Sequence, residues 1–372
     1  MQAFYNGTVF TGDRFINNVA VLVNKGRIEA IVPDTAIPAN THRYDLQGNV
    51  LVPAFIDLQL YGGNGLLFSH ALTEEAILAT DAYCVAGGCT SFLLTMATNS
   101  IDVFLKGIAV AKTFLQNNPN SGLLGLHLEG PYINPIKRGA HLLEHIKQPT
   151  VEEVQMLLDA GEGIVKMMTL APEQCSDDVL QLLVDNKVIV SAGHSNASYE
   201  QATAAFNNGI TTATHLFNAM SPLQGREPGM VGAIYDHART YSSIICDGFH
   251  TSYAAVRISK KMLQERLFLI TDAVTETKEG AYQHLLKENR YVLPDGTLSG
   301  SALTMLSAVN NCVQFAEIEF DEALRMASLY PARVANLLQQ GKIEEGFTAD
   351  FVVLSETKDV KAVFRKGELL SY

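Results

Sequence analysis

The chain alternates between short apolar runs and longer segments in which apolar residues recur at helical spacing. Several of the apolar runs carry almost no polar residue, which is typical of parallel strands buried on both faces. Strands that alternate with helices in this way predict an α/β fold, here a (β/α)8 TIM-like barrel. The eight predicted barrel strands are 54–61, 90–96, 123–128, 164–170, 188–192, 211–216, 241–246 and 267–270.

Helix start and stop signals separate these strands. Thr73 is a predicted N-cap, Glu75 follows in the first turn, and Gly87 and Gly88 end the helix. After the eighth strand the alternation of strands and helices is interrupted. The segment 275–300 predicts an inserted hairpin around 291–298. The predicted helices are 73–86, 101–116, 150–159, 176–185, 198–208, 251–263, 303–315 and 321–329, with another after Pro331.

Both ends of the chain predict strands rather than helices. Near the start, the turn Asn24-Lys25-Gly26 separates two apolar runs, as in a hairpin, and the tail has two further runs after position 349. We therefore expect a small discontinuous β-sandwich domain from residues 1–52 and 340–372. The catalytic barrel would span 53–339, with the hairpin insertion near 275–300.

The amino-acid composition limits the kinds of partner that the protein can bind. The 372 residues carry a net charge of −12, which argues against nucleic acid or an anionic membrane as a partner, since both need a basic face. Five cysteines without a CxxC pair indicate reduced, mostly buried thiols, and we expect a cytoplasmic protein. We expect no signal peptide and no membrane span, because no apolar run approaches ~18 residues.

Four polar residues stand where predicted strands end. Glu129 precedes Gly130-Pro131, which must end its strand, and His194, His215 and Asp272 end later strands. A barrel brings such strand ends to one mouth. One carboxylate and two imidazoles suit Zn²⁺ with an open position, and such a metal lowers the pKa of water. Asp272 would then be free to act as general base and general acid.

Simpler interpretations remain for each of these residues. Glu129 could be a solvent-facing charge or part of a structural ion pair. A single strand-end histidine is more often a hydrogen-bonded polar group than a ligand, although two such histidines with an upstream Glu favour a metal site. Asp272 could instead cap a helix.

A second cluster predicts anion binding. Arg226 lies in the loop Gln224-Gly225-Arg226-Glu227-Pro228-Gly229, which suits bidentate phosphate binding. His250 precedes Thr251-Ser252 at a predicted helix start, where backbone N–H groups favour a phosphate. A salt bridge between Arg226 and Glu227 is the competing interpretation.

Motifs along the whole chain resemble those of the N-acetylglucosamine-6-phosphate deacetylases, a family of the amidohydrolase superfamily. Each motif is weak alone, and their order and spacing make the resemblance specific. They are Pro-Ala-Phe-Ile-Asp-Leu-Gln-Leu (53–60), His-Leu-Glu-Gly-Pro (127–131), Lys-Arg-Gly-Ala-His (137–141), Ala-Gly-His-Ser (192–195), Thr-His-Leu-Phe-Asn-Ala-Met (214–220), Asp-Gly-Phe-His (247–250), Thr-Asp-Ala (271–273), Leu-Thr-Met (303–305) and Leu-Tyr-Pro-Ala (329–332).

The resemblance implies roles for named residues. Glu129, His194 and His215 would hold one divalent metal per subunit, with Zn²⁺ expected and Fe²⁺, Co²⁺ or Mn²⁺ also compatible. Asp272 would be the catalytic acid/base, and His141 would polarise the amide carbonyl. A homodimer or homotetramer with the phosphate site near the subunit interface is also implied. The implied substrate contacts are Ala140, His141, Asn218, Ala219, Arg226, His250, Leu303, Thr304 and Met305.

Two departures from the wider superfamily concern the first strand. Gln59 and Tyr61 stand where many members carry His-x-His for a second metal, which favours a single metal here. Ala54 replaces the usual glycine, a small packing change.

The resemblance therefore implies hydrolysis of N-acetyl-D-glucosamine 6-phosphate to D-glucosamine 6-phosphate and acetate, in amino-sugar catabolism and recycling. Two alternatives stay open at this point. One is another mononuclear amidohydrolase, such as a cyclic amidase or deaminase. The other is a non-catalytic scaffold with an amidohydrolase-like barrel.

Overall fold

The structure, a computed structural model, describes residues 1–371. Its first fifty residues form short strands joined by tight turns. Apolar residues such as Phe4, Val9 and Val21 point into a shared core, which explains why these short strands are stable. The strands are β1 (Gln2–Tyr5), β2 (Thr8–Phe10), β3 (Phe15–Ile16), β4 (Val19–Asn24), β5 (Arg27–Pro33), β6 (His42–Asp45) and β7 (Val50–Pro53).

The centre of the molecule is a parallel sheet of eight strands, in which each strand pairs with the next one along the chain. The sheet curls until its first and last strands meet: the N–H of Tyr61 donates to the Ala273 carbonyl, and the N–H of Asp272 donates to the Gln59 carbonyl, both at 2.9 Å. The barrel strands are β8 (Phe55–Leu60), β11 (Cys89–Ala97), β12 (Leu123–Glu129), β13 (Val165–Leu170), β14 (Ile189–Ala192), β15 (Thr212–Ala213), β16 (Tyr241–Ile244) and β17 (Leu267–Leu269), and β9 (Gly62–Gly63) pairs with β10 (Leu66–Leu67) outside it.

Helices follow the barrel strands, and side-chain caps begin most of them. The Thr73 hydroxyl accepts from the Ala76 N–H, and Ser198 forms a reciprocal capping box with Gln201. Apolar faces of these helices cover the outside of the barrel. The helices are α1 (Phe68–Ala71), α2 (Glu74–Ala86), α3 (Ile101–Asn117), α4 (Val151–Gly161), α5 (Asp177–Asp185), α6 (Tyr199–Asn207), α7 (Gly229–Asp236) and α8 (Tyr253–Leu263).

After β17 the chain makes an excursion before it returns to the barrel. We call residues 274–301 the inserted segment. It contains the antiparallel strands β18 (Leu285–Lys287), β19 (Arg290–Val292) and β20 (Leu298–Ser301). The chain then continues through α9 (Met305–Gln314), α10 (Phe320–Ala327) and α11 (Leu329–Val334), and ends in β21 (Phe351–Leu354), β22 (Val360–Arg365) and β23 (Glu368–Leu369).

The two ends of the chain meet in one sheet of six strands, in the order β23-β22-β21-β7-β2-β3. Strand β21 pairs antiparallel with β7, in register from Phe351–Pro53 to Leu354–Val50. A second sheet, β5-β4-β1-β6, packs against it through the rings of Phe4, Phe351 and Phe364, whose centroids lie 4.9–5.2 Å apart. Both ends of the chain therefore contribute to one apolar core.

All eight predicted barrel strands are confirmed, and so are the predicted helices, with small shifts at their ends. The sixth strand ends at Ala213 instead of 216, because the backbone turns left-handed at His215. Helix α8 begins at Tyr253 rather than 251. The helices α1 and α7 and the strand β18 were not predicted. The predicted hairpin corresponds only to β19 and β20 of the inserted sheet. Within residues 1–371, no helix combines the length and the apolar character that crossing a bilayer requires.

Candidate active site

Four strand-end side chains meet at the carboxyl-terminal mouth of the barrel. Glu129 is the last residue of β12, whereas His194 and His215 lie two residues after the ends of β14 and β15, and Asp272 lies three residues after the end of β17. All four side chains are buried and line one cavity of about 190 Å³. The barrel geometry thus brings together the four residues that the sequence singled out.

Three ligand-type atoms form a tight triangle in this cavity. Glu129 Oε1 lies 3.1 Å from His215 Nε2 and 3.4 Å from His194 Nε2, and the two Nε2 atoms lie 3.1 Å apart. Ligand atoms around a tetrahedral zinc ion are separated by about 3.3 Å, given metal–ligand bonds of about 2.0–2.1 Å. The spacing and the donor types therefore fit one divalent metal.

The two histidines of the triangle are held differently: His194 through its outer ring nitrogen and His215 through its backbone. His194 Nδ1 lies 2.9 Å from the Lys137 carbonyl and donates to it, so its Nε2 presents a lone pair to the triangle. The Ser243 hydroxyl accepts from the backbone N–H of His215 at 2.8 Å. His215 Nδ1 is buried and has no hydrogen-bond partner among residues 1–371.

His141 approaches Glu129 from the other side. Its Nε2 lies 3.3 Å from Glu129 Oε2, the oxygen that the triangle does not use. Glu129, His141 and His194 also place one ligand-type atom each within 4.8 Å of one another, so His141 forms a second, looser donor set. The triangle with His215 is tighter and leaves His141 free to face a ligand.

Gln59 and Tyr61 hold the two carboxylates of the site in place. The Gln59 amide donates to Glu129 Oε1 at 2.9 Å and to Asp272 Oδ1 at 2.8 Å. The Tyr61 hydroxyl donates to Glu129 Oε2 and lies 3.3 Å from Asp272 Oδ1. The sequence analysis treated both residues only as missing imidazoles. Polar residues inside the apolar strand 54–61 were the signal that could have identified them.

The two carboxylates differ in their pKa. Burial would raise the pKa of Glu129, but its contacts with the imidazoles of His141, His194 and His215 lower it well below its ordinary value. Burial raises the pKa of Asp272 well above its ordinary value, and the nearby Glu129 charge adds to this effect. A cation held by Glu129 would oppose the second effect. The site therefore contains one permanent anion beside one carboxyl that can carry a proton.

The backbone at the mouth is strained. His194, His215 and Asp272 have φ values of 48°, 37° and 54°, and Phe217 and Ala219 are also left-handed. Residues with a Cβ atom rarely adopt this conformation, which costs about 1–3 kcal/mol each. The surrounding barrel therefore holds the backbone at these positions in a conformation that is unfavourable in an isolated chain.

Four residues expected to contact substrate lie on the cavity wall, together with His141. They are Ala140, Asn218, Ala219 and His250. Asp247 orients His250, because its Oδ2 lies 2.6 Å from His250 Nδ1 and its Oδ1 accepts the His250 N–H at 2.8 Å. Despite burial, the contact with His250 lowers the pKa of Asp247, so a negative charge faces the ring.

Arg226 lies away from this wall, exposed in the loop before α7. The competing salt bridge with Glu227 is wrong: the Glu227 carboxylate accepts from the backbone N–H of Tyr199 at 3.1 Å and of Gly229 at 3.2 Å. Arg226 takes part in no ion pair within the described part of the chain. No carboxylate among the described residues therefore neutralises the Arg226 guanidinium.

The segment 303–305, expected to contact substrate, is not among the residues that line the cavity. The Leu303 carbonyl accepts from the Tyr83 hydroxyl at 2.7 Å, and the Thr304 hydroxyl caps α9, so Met305 is the first residue of that helix. Residues 298–300, a few positions earlier in the chain, line the cavity instead. The inserted segment contributes Val274, Tyr282, His284, Leu298, Ser299 and Gly300, which the sequence analysis did not identify.

Comparison with known proteins agrees with this architecture. The sequence profile of the amidohydrolase family matches residues 50–370, and that of the NagA composite domain matches residues 1–51. The N-acetylglucosamine-6-phosphate deacetylase of Haemophilus influenzae is 37% identical over 98% of both chains. The N-acetylgalactosamine-6-phosphate deacetylase of Shewanella sp. is 36% identical over 89% of this chain and 86% of its own.

Solved structures give the same result. The N-acetylglucosamine-6-phosphate deacetylase of Pasteurella multocida superposes with a TM-score of 0.94 at 33% identity, covering 100% of both chains. A mutant of the Mycobacterium smegmatis enzyme, solved in complex with N-acetyl-D-glucosamine 6-phosphate, gives a TM-score of 0.90 at 31% identity over 99% of this chain and 98% of that one. The chain belongs to the amidohydrolase family, among the N-acetylglucosamine-6-phosphate deacetylases.

Proposed function

We propose that this protein hydrolyses the acetamide of N-acetyl-D-glucosamine 6-phosphate to D-glucosamine 6-phosphate and acetate. The observation that carries the proposal is the triangle of Glu129, His194 and His215 with Asp272 beside it. The full-length similarity to deacetylases of this substrate supports the choice of amide.

In this proposal Glu129, His194 and His215 hold one divalent metal, with zinc expected. A metal there supplies a Lewis acid that polarises the acyl carbonyl and makes water easier to ionise. Gln59 and Tyr61 keep the Glu129 carboxylate aimed at the triangle, because they bind both of its oxygens. Hydrogen bonds to a metal ligand tune both its orientation and the affinity for the metal.

Asp272 moves the proton. It is a buried carboxyl with a raised pKa, 2.8 Å from the Gln59 amide that fixes its orientation. Asp272 takes a proton from the attacking water and returns it to the departing amine, so that the C–N bond breaks as a neutral amine leaves. The same carboxyl serves as base and then as acid.

His141 stabilises the developing oxyanion. Its Nδ1 accepts a hydrogen bond from the Thr98 N–H, so the neutral ring carries its proton on Nε2. Burial lowers the pKa of His141 to about 4, and the neighbouring His194 adds to the shift, so the ring is neutral at pH 7. A positioned N–H donor of this type is worth about 3–4 kcal/mol in the transition state.

His250 and Arg226 bind the phosphate group of the substrate in this proposal. His250 lies on the cavity wall, whereas Arg226 is exposed and would act on the site of a neighbouring subunit in a homodimer or homotetramer. Its lack of an ion pair within residues 1–371 supports a role toward an outside anion.

We place the enzyme in the cytoplasm, where its cysteines stay reduced.

We also propose that residues 1–52 and 340–372 form one small β domain and that 53–339 form the barrel. The pairing of β7 with β21 supports this division. So does the separate match of residues 1–51 to the NagA composite domain.

A second candidate substrate is N-acetyl-D-galactosamine 6-phosphate. The Shewanella deacetylase named for that sugar is nearly as similar to this chain as the Haemophilus influenzae enzyme. The two sugars differ only at C4, so the same catalytic groups serve either one.

The test is acetate release from both sugar phosphates and from unphosphorylated N-acetylglucosamine, before and after chelation, with metal content measured in parallel. We expect fast release from N-acetylglucosamine 6-phosphate, loss of release after chelation, and recovery with Zn²⁺. Equal release with and without the phosphate contradicts the phosphate-reading site. Faster release from the galactosamine derivative moves the assignment to the second candidate. No release with metal bound overturns the proposed function.

A further inference from the structure

We propose that Tyr282, in the inserted segment, is a positioning residue for His141. Its hydroxyl joins Thr98, which binds the His141 ring, to Leu142, the residue that follows His141. The inference rests on the oxyanion role proposed for His141, and it assigns to the inserted segment a part in the chemistry as well as in shaping the cavity.

The Tyr282 hydroxyl makes two hydrogen bonds, one as donor and one as acceptor. It donates to the Thr98 carbonyl at 2.6 Å and accepts from the Leu142 N–H at 3.4 Å. The side chain is 6% exposed and lies on the cavity wall. Burial raises the pKa of this phenol, so it remains a proton donor throughout the neutral range.

Thr98 in turn fixes the tautomer of His141. Its backbone N–H donates to His141 Nδ1 at 3.3 Å, and its hydroxyl lies 2.7 Å from the same nitrogen. Because a backbone N–H can only donate, Nδ1 must accept, and the ring proton is on Nε2. That proton faces the reacting centre, since Nε2 lies 3.3 Å from Glu129 Oε2.

The inserted segment holds Tyr282 rigidly enough for this task. Thr277 and His284 exchange two backbone hydrogen bonds, at 2.9 and 3.0 Å, and so close a small loop around Tyr282. The Tyr282 and His284 rings are also nearly parallel, at 7°. Losing the hydroxyl would leave the buried Thr98 carbonyl without this donor and the Leu142 N–H without this acceptor.

The first test is Tyr282→Phe in the metal-loaded full-length enzyme, with Tyr291→Phe as the control in the same segment. Displacing a catalytic group by even a fraction of an ångström slows turnover, so we expect kcat to fall about 10–100-fold with KM changed less than about 2-fold. The control should keep both parameters within about 2-fold of wild type. An unchanged kcat in Tyr282→Phe, or a rise in KM alone, overturns the proposal.

The second test reads the tautomer directly. In the Zn²⁺-loaded wild type with ¹⁵N-labelled histidine, we expect His141 to show an unprotonated Nδ1 and a protonated Nε2. In Tyr282→Phe the His141 signals should shift or broaden, whereas Tyr291→Phe should keep them as in the wild type. A protonated Nδ1 in the wild type, or wild-type His141 signals in Tyr282→Phe, overturns the proposal. The spectrum does not depend on the substrate, so it decides this inference even if the proposed function fails.

Discussion

The cavity has two walls of different origin. One wall consists of strand ends: Glu129 is the last residue of a buried barrel strand, and His194, His215 and Asp272 lie two or three residues beyond the ends of three others. The opposite wall comes from the inserted segment, whose short strands pair among themselves. The first wall brings together charged and ligand-type atoms, whereas the second presents mostly aromatic, apolar and small residues.

We expect the two walls to contribute differently to catalysis and to substrate binding. Barrel hydrogen bonds fix the strand ends, so groups that need sub-ångström placement belong there. A loop excursion can change in length and sequence without disturbing the barrel, so groups that shape a ligand pocket belong there. We therefore expect changes in the first wall to affect kcat and changes in the second to affect KM, with Tyr282 as the exception.

The largest effect is expected at Asp272, on the strand-end wall. Asp272→Asn keeps an oxygen for the Gln59 amide but cannot accept the proton, so kcat should fall by about 10²–10⁴-fold. Metal content should stay at the wild-type level, because Asp272 lies outside the triangle. Steady-state kinetics together with metal analysis checks both points, and wild-type turnover in this variant would refute its role.

His141→Leu should give the next largest loss, because leucine has no N–H to donate. Removing an oxyanion donor lowers kcat by about 10²–10³-fold with little change in KM. His145→Leu is the matched control, because His145 lies in the same loop but away from the cavity wall. If KM rises while kcat stays constant, His141 binds the ground state and the division between the walls fails.

Gln59→Leu tests the support behind the strand-end wall. The change removes donors to both Glu129 and Asp272, and loss of such contacts weakens metal affinity by about 10–100-fold. Titration with a competing chelator measures the effect. The exposed Gln181→Leu should bind metal as the wild type does. Equal affinity in the two variants would show that Gln59 does not orient the ligands.

The smallest effect is expected on the inserted wall, from His284→Phe. The phenyl ring keeps the packing with Tyr282 and Tyr291 but loses the ring nitrogens, so KM should rise about 3–10-fold, the equivalent of one hydrogen bond, with kcat unchanged. Burial lowers the pKa of His284 to about 4, so the ring is neutral well above that pH. The KM ratio should therefore be the same at pH 6 and pH 8, and a pH-dependent ratio would contradict this.

The two walls also differ in how well the sequence predicts them. Strand-end residues could be identified because buried strands are recognisable as apolar runs and the barrel fixes where their ends go. This reasoning singled out Glu129, His194, His215 and Asp272, which the structure brings together in one cavity. Gln59 and Tyr61 were not, since their contacts depend on which face of β8 points inward.

The inserted segment could not be placed from sequence for a physical reason. Its strands are three to four residues long and mostly polar or partly exposed, so no period reveals their register. The turn Pro294-Asp295-Gly296 predicted a hairpin, but nothing local shows that Tyr282 reaches Thr98, 184 positions away. Arg226 shows the same limit, because a loop arginine looks alike whether its partner is Glu227 or lies outside the subunit.

The sheet shared by the two ends of the chain has a consequence for folding during synthesis on the ribosome. Strand β7 leaves the ribosome nearly 300 residues before its partner β21. At about 5–20 residues per second, the edge of β7 waits roughly 15–60 s for that partner, unless another strand covers it. Until then the apolar residues Leu51 and Val52 stand at an open strand edge, which is prone to pair with other nascent chains. Faster synthesis of the C-terminal third should therefore raise the soluble yield without altering the finished enzyme.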